Sequence, residues 1–240
     1  MSSQRRIQQQ AAFILHHRPF RDSSQILDVL SRDHGKLAVV ARGSRGARSR
    51  LKGVLRPFMP LSMSWVIKSD LGTLTGAEVR GAPLSLSGDA LLSGYYVNEL
   101  ILHLLHRHDP QPDIFEAYGQ TIHALAGAGT DVAPVLRQFE MELLRFSGYA
   151  LNLNHESGTT QSLDPGQHYE YRMEQGAVPV SRDDGPLVFS GAMLTAIAGQ
   201  QFSEPGVLRA ATRLMREVIS FHLGGKELKS RKVLLEMHRR

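Results

Sequence analysis

The sequence predicts an α+β protein: an N-terminal five-stranded barrel followed by a mainly α-helical domain with a small loop-rich insertion. Three observations carry this. Apolar residues recur with a period of two as far as residue 80 and with helical spacing beyond it. Gly, Pro and Asp clusters punctuate both regions at short intervals. Charge changes sign at the same place: residues 1–80 hold 14 Lys/Arg against 5 Asp/Glu, residues 81–205 hold 5 against 15, and residues 206–240 hold 9 against 3. The domains are therefore read as 1–80 and 81–240, the second including a loop-rich segment at 149–186.

Residues 11–16, 25–30 and 37–41 are short apolar runs, and Asp33-His34-Gly35 makes a hairpin of the last two. Leu61, Met63, Trp65 and Ile67 alternate with Ser62, Ser64, Val66 and Lys68, which leaves one face apolar. Ser69-Asp70-Leu71-Gly72 turns the chain into a fifth strand over 73–79. Five strands with a long connection between the third and fourth fit a small closed barrel of the oligonucleotide-binding type (OB-fold), with an open meander as the alternative. After Gly81-Ala82-Pro83 the period lengthens. Ser87 caps a helix running to about Arg107, a second runs over 112–126, and Asp131 caps a third that ends at Gly148. In the third, Val132, Val135, Leu136, Phe139, Leu143 and Phe146 form an apolar stripe. Residues 149–186 lose the pattern apart from a hairpin through Tyr169 and Val178, and helices return at 190–198 and 205–223.

Composition excludes several classes of function. The 240 residues contain no cysteine, so disulfides, thiolate metal sites and cysteine nucleophiles are absent. The longest uncharged stretch, 185–203, is broken by Pro186 and Gly191, so no membrane span is expected and the chain is read as cytoplasmic. Gly-rich phosphate-binding and nucleophile-elbow motifs are missing. His103, His106, His108 and Asp109 are better explained by a helix end than by a metal, and Asp183-Asp184 by a solvated turn. No catalytic residue, metal or cofactor is assigned.

What remains is a cationic segment. No acidic side chain lies between Asp33 and Asp70, where Lys36, Arg42, Arg45, Arg48, Arg50, Lys52 and Arg56 are found. Gly43, Ser44, Gly46 and Ser49 are interleaved with them, so a flexible loop able to follow a phosphate backbone is expected. These seven residues are the candidate DNA contacts. Phe58 and Trp65 could stack on bases, although Trp65 sits on the apolar side of its strand.

ARGSRGARSRLKGVLRPFMPL at 41–61, YYVNELILHLL at 95–105, LRQFEMELLRFSGY at 136–149 and LGGKELKSRKVL at 223–234 together resemble the bacterial recombination mediator family RecO, along nearly the whole chain. The resemblance implies an OB-fold barrel followed by a helical domain. It implies binding of single- and double-stranded DNA and annealing of complementary strands. It also implies binding of the acidic tail of the single-stranded-DNA-binding protein SSB and, with RecR, loading of RecA at the nucleoid during repair. Many members carry a four-cysteine zinc site in the segment matching 149–186; this chain has none there, so packing and hydrogen bonds must hold that segment. For an acidic tail with an apolar end, Arg137 beside the third helix's stripe is the first candidate and Arg145 the second; pairing of Arg137 with Glu140 or Glu142 is the competing reading. The rival functions are an RNA-binding module and a nucleic-acid-processing enzyme.

Overall fold

The computed structural model describes residues 5–67 and 70–237. Lys68 and Ser69, assigned above to the end of the fourth strand and to the turn after it, lie outside these residues. Strands β1 (Arg5–Phe20), β2 (Ser24–Ser31), β3 (Gly35–Ala41), β4 (Leu61–Ile67) and β5 (Leu71–Val79) close into a barrel in the order β1-β2-β3-β5-β4. Closure follows because β1 pairs with β2 along its second half and with β4 along its first, while β3 and β5 join in parallel. The meander is thereby excluded. Serving two neighbours also explains why β1 is longer than the apolar run at 11–16: it bends through irregularities between Ile7 and Gln10 and between Ile14 and His16. The alternation sends Ile14, Leu27, Val39, Met63 and Trp65 into the barrel interior. Trp65 is fully buried, with its ring edge-on to His34 at 5.4 Å, and Phe58 is buried as well, so neither is open to a base.

Helices α1 (Gly88–Leu104) and α2 (Pro112–Leu125) pack with the barrel in one compact unit that extends to Thr130 and takes in the chain again from Leu228, including α6 (Lys229–Met237). Phe13 of β1 meets Phe115 and Tyr118 of α2 at ring-centroid distances of 5.2 and 4.9 Å. Beneath them lies a polar lock. Asn98 of α1 is buried, its Nδ2 donates to the Leu15 carbonyl of β1 at 2.8 Å, and its Oδ1 accepts from the Tyr118 hydroxyl at 2.8 Å. One side chain thus joins strand, α1 and α2 with its partners inside the protein.

α1 ends at Leu104, short of the expected Arg107, because the chain beyond it is drawn onto β3. Lys36 Nζ donates to the Leu102 carbonyl at 2.6 Å, and the His108 amide donates to the Lys36 carbonyl at 2.9 Å, leaving Arg107 as a bridge partner of Lys36. Gly35 permits this approach: its φ is +63°, and a Cβ there would stand 2.1 Å from the Asp109 carbonyl oxygen.

α6 was not foreseen; its basic sequence reads as a tail. Its start is held by Glu99 of α1, whose carboxylate accepts from the Lys229 amide (2.9 Å), the Ser230 amide (3.0 Å) and the Ser230 hydroxyl (2.6 Å). Burial pushes the Glu99 pKa up, but the Ser230 and Lys229 hydrogen bonds, with His103 nearby, outweigh it and hold the carboxyl below its ordinary value.

The second unit, Asp131–Glu227, contains α3 (Val132–Phe146), α4 (Gly191–Ala198), α5 (Pro205–His222) and a small sheet of β6 (His168–Arg172), β7 (Gly176–Val180) and β8 (Val188–Ser190) in the order β7-β6-β8. Asp131 caps α3 by accepting from the Ala133 amide, and Ser190 caps α4 by accepting from the Met193 amide. The expected stripe on α3 is corrected: Phe139, Leu143 and Leu144 are buried, whereas Val132, Val135, Leu136 and Phe146 are only partly so. In the cysteine-free segment, fully buried Tyr169 accepts from the Asp164 amide at 2.9 Å and donates to Glu156 at 3.0 Å, with Leu153 and Leu163 buried nearby. Among the described residues no helix is long and apolar enough to cross a membrane, and no group of three or more His, Cys, Asp or Glu is placed to hold a metal ion.

Two outcomes test this architecture. Tyr118→Phe leaves a buried Asn98 oxygen unpaired and is expected to cost about 1–3 kcal/mol in urea unfolding. Asn98→Ala should cost at least as much, and the double variant less than the sum of the two. Because the folded pKa of Glu99 is depressed, its contribution is present above the unfolded carboxyl pKa and lost as pH falls through the folded one. Glu99→Gln should therefore melt lower than wild type near neutral pH, and the difference should close on acidification.

Candidate nucleic-acid interface

The connection between β3 and β4 is a wound segment, not the flexible loop its Gly and Ser content suggests. Amide-to-carbonyl bonds Gly46 to Gly43, Ser49 to Gly46 and Lys52 to Ser49 repeat every three residues and form consecutive turns. Its first turn is pinned to the β1–β2 connection: the Arg45 amide donates to the Ser23 carbonyl at 2.8 Å, and Arg45 Nη1 to the Arg21 carbonyl at 3.4 Å. Its later turns enter the barrel. Leu55 and Met59 belong to the barrel core, and Leu51 and Val54 pack against them.

Apolar residues facing inward leave the charged ones outside. Arg42, Arg45, Arg48, Arg50, Lys52 and Arg56 are all exposed. Arg56 Nε returns to the Gly53 carbonyl at 2.8 Å; among the described residues none of the six is in an ion pair. The array therefore carries six uncompensated positive charges on a fixed backbone.

Lys36 does not belong with them. It is 9% exposed, stands at the opposite end of β3, and its ammonium is bound to the Leu102 carbonyl. Burial, reinforced by Arg107 and opposed by Asp28, lowers its pKa. This corrects its grouping with the six cations between Arg42 and Arg56.

Beside the first turn a cleft of about 610 Å³ opens, lined by Phe20, Arg21, Ser24, Arg42, Leu71 and Thr73 among others. It lies on the outer face of β2 and β3 next to the β1–β2 connection, the region where barrels of this type take oligonucleotides. Arg21 sits over the Phe20 ring at 5.2 Å, so the cleft offers a half-buried aromatic surface between two arginines, Arg21 and Arg42. Sequence reasoning missed Arg21 and Phe20 because the turn Arg21-Asp22-Ser23 is locally balanced in charge; only the strand pairing brings it to Arg42.

In the second unit, Arg137 is largely withdrawn. Its side chain is 11% exposed, Nη2 donates to Glu140 at 2.5 Å and Nη1 to the Thr212 hydroxyl at 3.1 Å. Arg145 is exposed and lies over the Phe146 ring at 3.9 Å, a cation beside a partly exposed apolar surface.

Two family models match this chain: Recombination protein O N terminal over residues 4–82, and Recombination protein O C terminal over residues 85–232. The DNA repair protein RecO of Aromatoleum aromaticum is 44% identical over 238 residues, covering 99% of both chains. The DNA repair protein RecO of Dechloromonas aromatica is 39% identical over 240 residues, again covering 99% of both. That of Azoarcus sp. is 42% identical over 241 residues with the same coverage.

Proposed function

The chain belongs to the RecO family of DNA repair proteins, and on that premise we propose that it is a non-enzymatic recombination mediator whose 1–80 module binds DNA and lets complementary strands anneal. The observation that carries this reading is the set of six exposed cations at Arg42, Arg45, Arg48, Arg50, Lys52 and Arg56, without an ion pair among the described residues, fixed by turns beside the barrel and adjoining an aromatic cleft. Two DNA strands repel each other. A cationic array lying on both backbones lowers that barrier and leaves the base edges free to pair. Arginine suits the task because its planar fork can hold a phosphate through two hydrogen bonds. Single- and double-stranded DNA are both ligands, since the contact is to phosphate.

The mediator role adds protein partners: the acidic tail of SSB, RecR and, through it, RecA. For the tail, Arg145 with Phe146 supplies the exposed cation and apolar neighbour that such a peptide needs. Arg137 can join only by exchanging Glu140 for a tail carboxylate, which ranks it second.

If about six side chains touch phosphate, log affinity for single strands should fall against log salt with a slope near −4, from about 0.7 per contact. Replacing Arg45, Arg48 and Arg50 with alanine should bring the slope to about −2; an unchanged slope in a folded variant rejects the array as the DNA site. For the tail, Arg145→Glu should weaken an acidic C-terminal peptide by at least tenfold in fluorescence anisotropy, and normal binding rejects the choice.

A further inference from the structure

A second cleft, of about 200 Å³, opens at the other end of the same barrel face and is lined by Arg18, Asp28, Lys36, Leu37, Leu102 and Arg107. Its charges do not balance. Asp28 is its one carboxylate and is already shared by Arg18 at 3.6 Å and His16 at 3.5 Å. Among the described residues neither Lys36 nor Arg107 is in an ion pair, so two cations are left over even before His16 is counted.

The cations are held in place. Lys36 is nine-tenths buried, with its ammonium fixed by the Leu102 carbonyl at 2.6 Å, and it keeps two further N–H donors. Arg107 is fastened beside it through the backbone bridge and the His108 amide, and its guanidinium makes no hydrogen bond to the described residues. Two positive groups set side by side in a recess raise each other's energy, and an oxyanion between them removes that repulsion. The recess is about a third the size of the Phe20–Arg42 cleft, and its cationic donors suit a single tetrahedral phosphate.

The location identifies the phosphate's source. Pairing aligns Arg18 with Ile26 and Ile26 with Val40, and Asp28 with Ala38. Ile26, Ala38 and Val40 are buried and pack with half-buried Phe20 in an apolar cluster outside the barrel core. The register places that cluster between this recess and the Phe20–Arg42 cleft. Lys36 and Arg42 are six residues apart in the chain, about 20 Å along an extended strand, well within the roughly 4–16 nucleotides that one such barrel covers. We propose that Arg18, Lys36 and Arg107 form a clasp for one backbone phosphate of a nucleic-acid strand laid across the outer face of β1–β3, anchoring the end of that strand far from the basic turns. The clasp rests on the DNA-binding reading above and adds a second anchor to it.

The test uses the full chain as wild type, as the Arg18→Gln/Arg107→Gln double variant, and as the Arg45→Ala/Arg48→Ala/Arg50→Ala variant. Each is titrated with a single strand of about 12 nucleotides across salt concentrations and, separately, with inorganic phosphate followed by phosphorus NMR. Arg18 and Arg107 are exposed, so the double variant is expected to stay folded, with a melting temperature lowered only slightly by loss of the Arg18–Asp28 pair. The clasp predicts that this variant loses about 0.7 to 1 from the salt slope while keeping the contribution of the basic turns. An unchanged slope, with the turn variant still losing its share, overturns the clasp and leaves DNA binding intact. An unchanged slope together with phosphate binding that the double variant abolishes assigns the recess to free phosphate and also overturns it. If wild type ignores the strand even in dilute buffer, both readings fall.

Discussion

The segment that carries this protein's charge also fills part of its barrel core. Leu55 and Met59 sit in the same core as Trp65 and Leu27, and they come from the stretch that bears Arg42 to Arg56. Burying each such side chain contributes about 2 kcal/mol, so freeing the cations from their positions would open the core. The arginines are thus presented on a backbone ordered during folding, and little of that ordering entropy would remain to oppose the DNA binding proposed above. A disordered basic loop of equal charge would have to be ordered by its ligand.

The rest of the first unit supports that barrel from the side. Asn98 links β1, α1 and α2 through two buried hydrogen bonds, and Glu99, the next residue on α1, secures α6. Adjacent side chains on one helix therefore serve the barrel and the end of the chain. In the second unit, Tyr169 bonds both Glu156 and Asp164 across the cysteine-free, loop-rich segment, in which Leu153 and Leu163 are also buried.

Much of this was legible because it depends on local signals. Alternation and short apolar runs located the strands, Ser87 and Asp131 marked helix starts, although only Asp131 makes a side-chain cap hydrogen bond, and the absence of acidic residues from 34 to 69 marked the charged surface. What was hidden depends on distant pairs. The first strand extends back through Gln8–Gln10 because β4 pairs beside it, and the start of α6 is secured by a residue 130 positions earlier. Lys36 reads as one more cation until α1 delivers the Leu102 carbonyl; the Arg137–Glu140 pair is one of the readings the sequence offers, whereas Thr212, 75 positions away, is not. The basic segment misled in the other direction: its Gly and Ser content suggested flexibility, whereas Leu51, Val54, Leu55 and Met59 required it to be wound.

The central claim is that an ordered cationic array cancels the mutual repulsion of DNA strands. Its most direct test is the rate at which two complementary single strands anneal with and without the purified chain as salt is raised. The account predicts acceleration in dilute buffer that fades with salt in parallel with strand binding. Strands that bind the protein yet pair no faster than in its absence would contradict it.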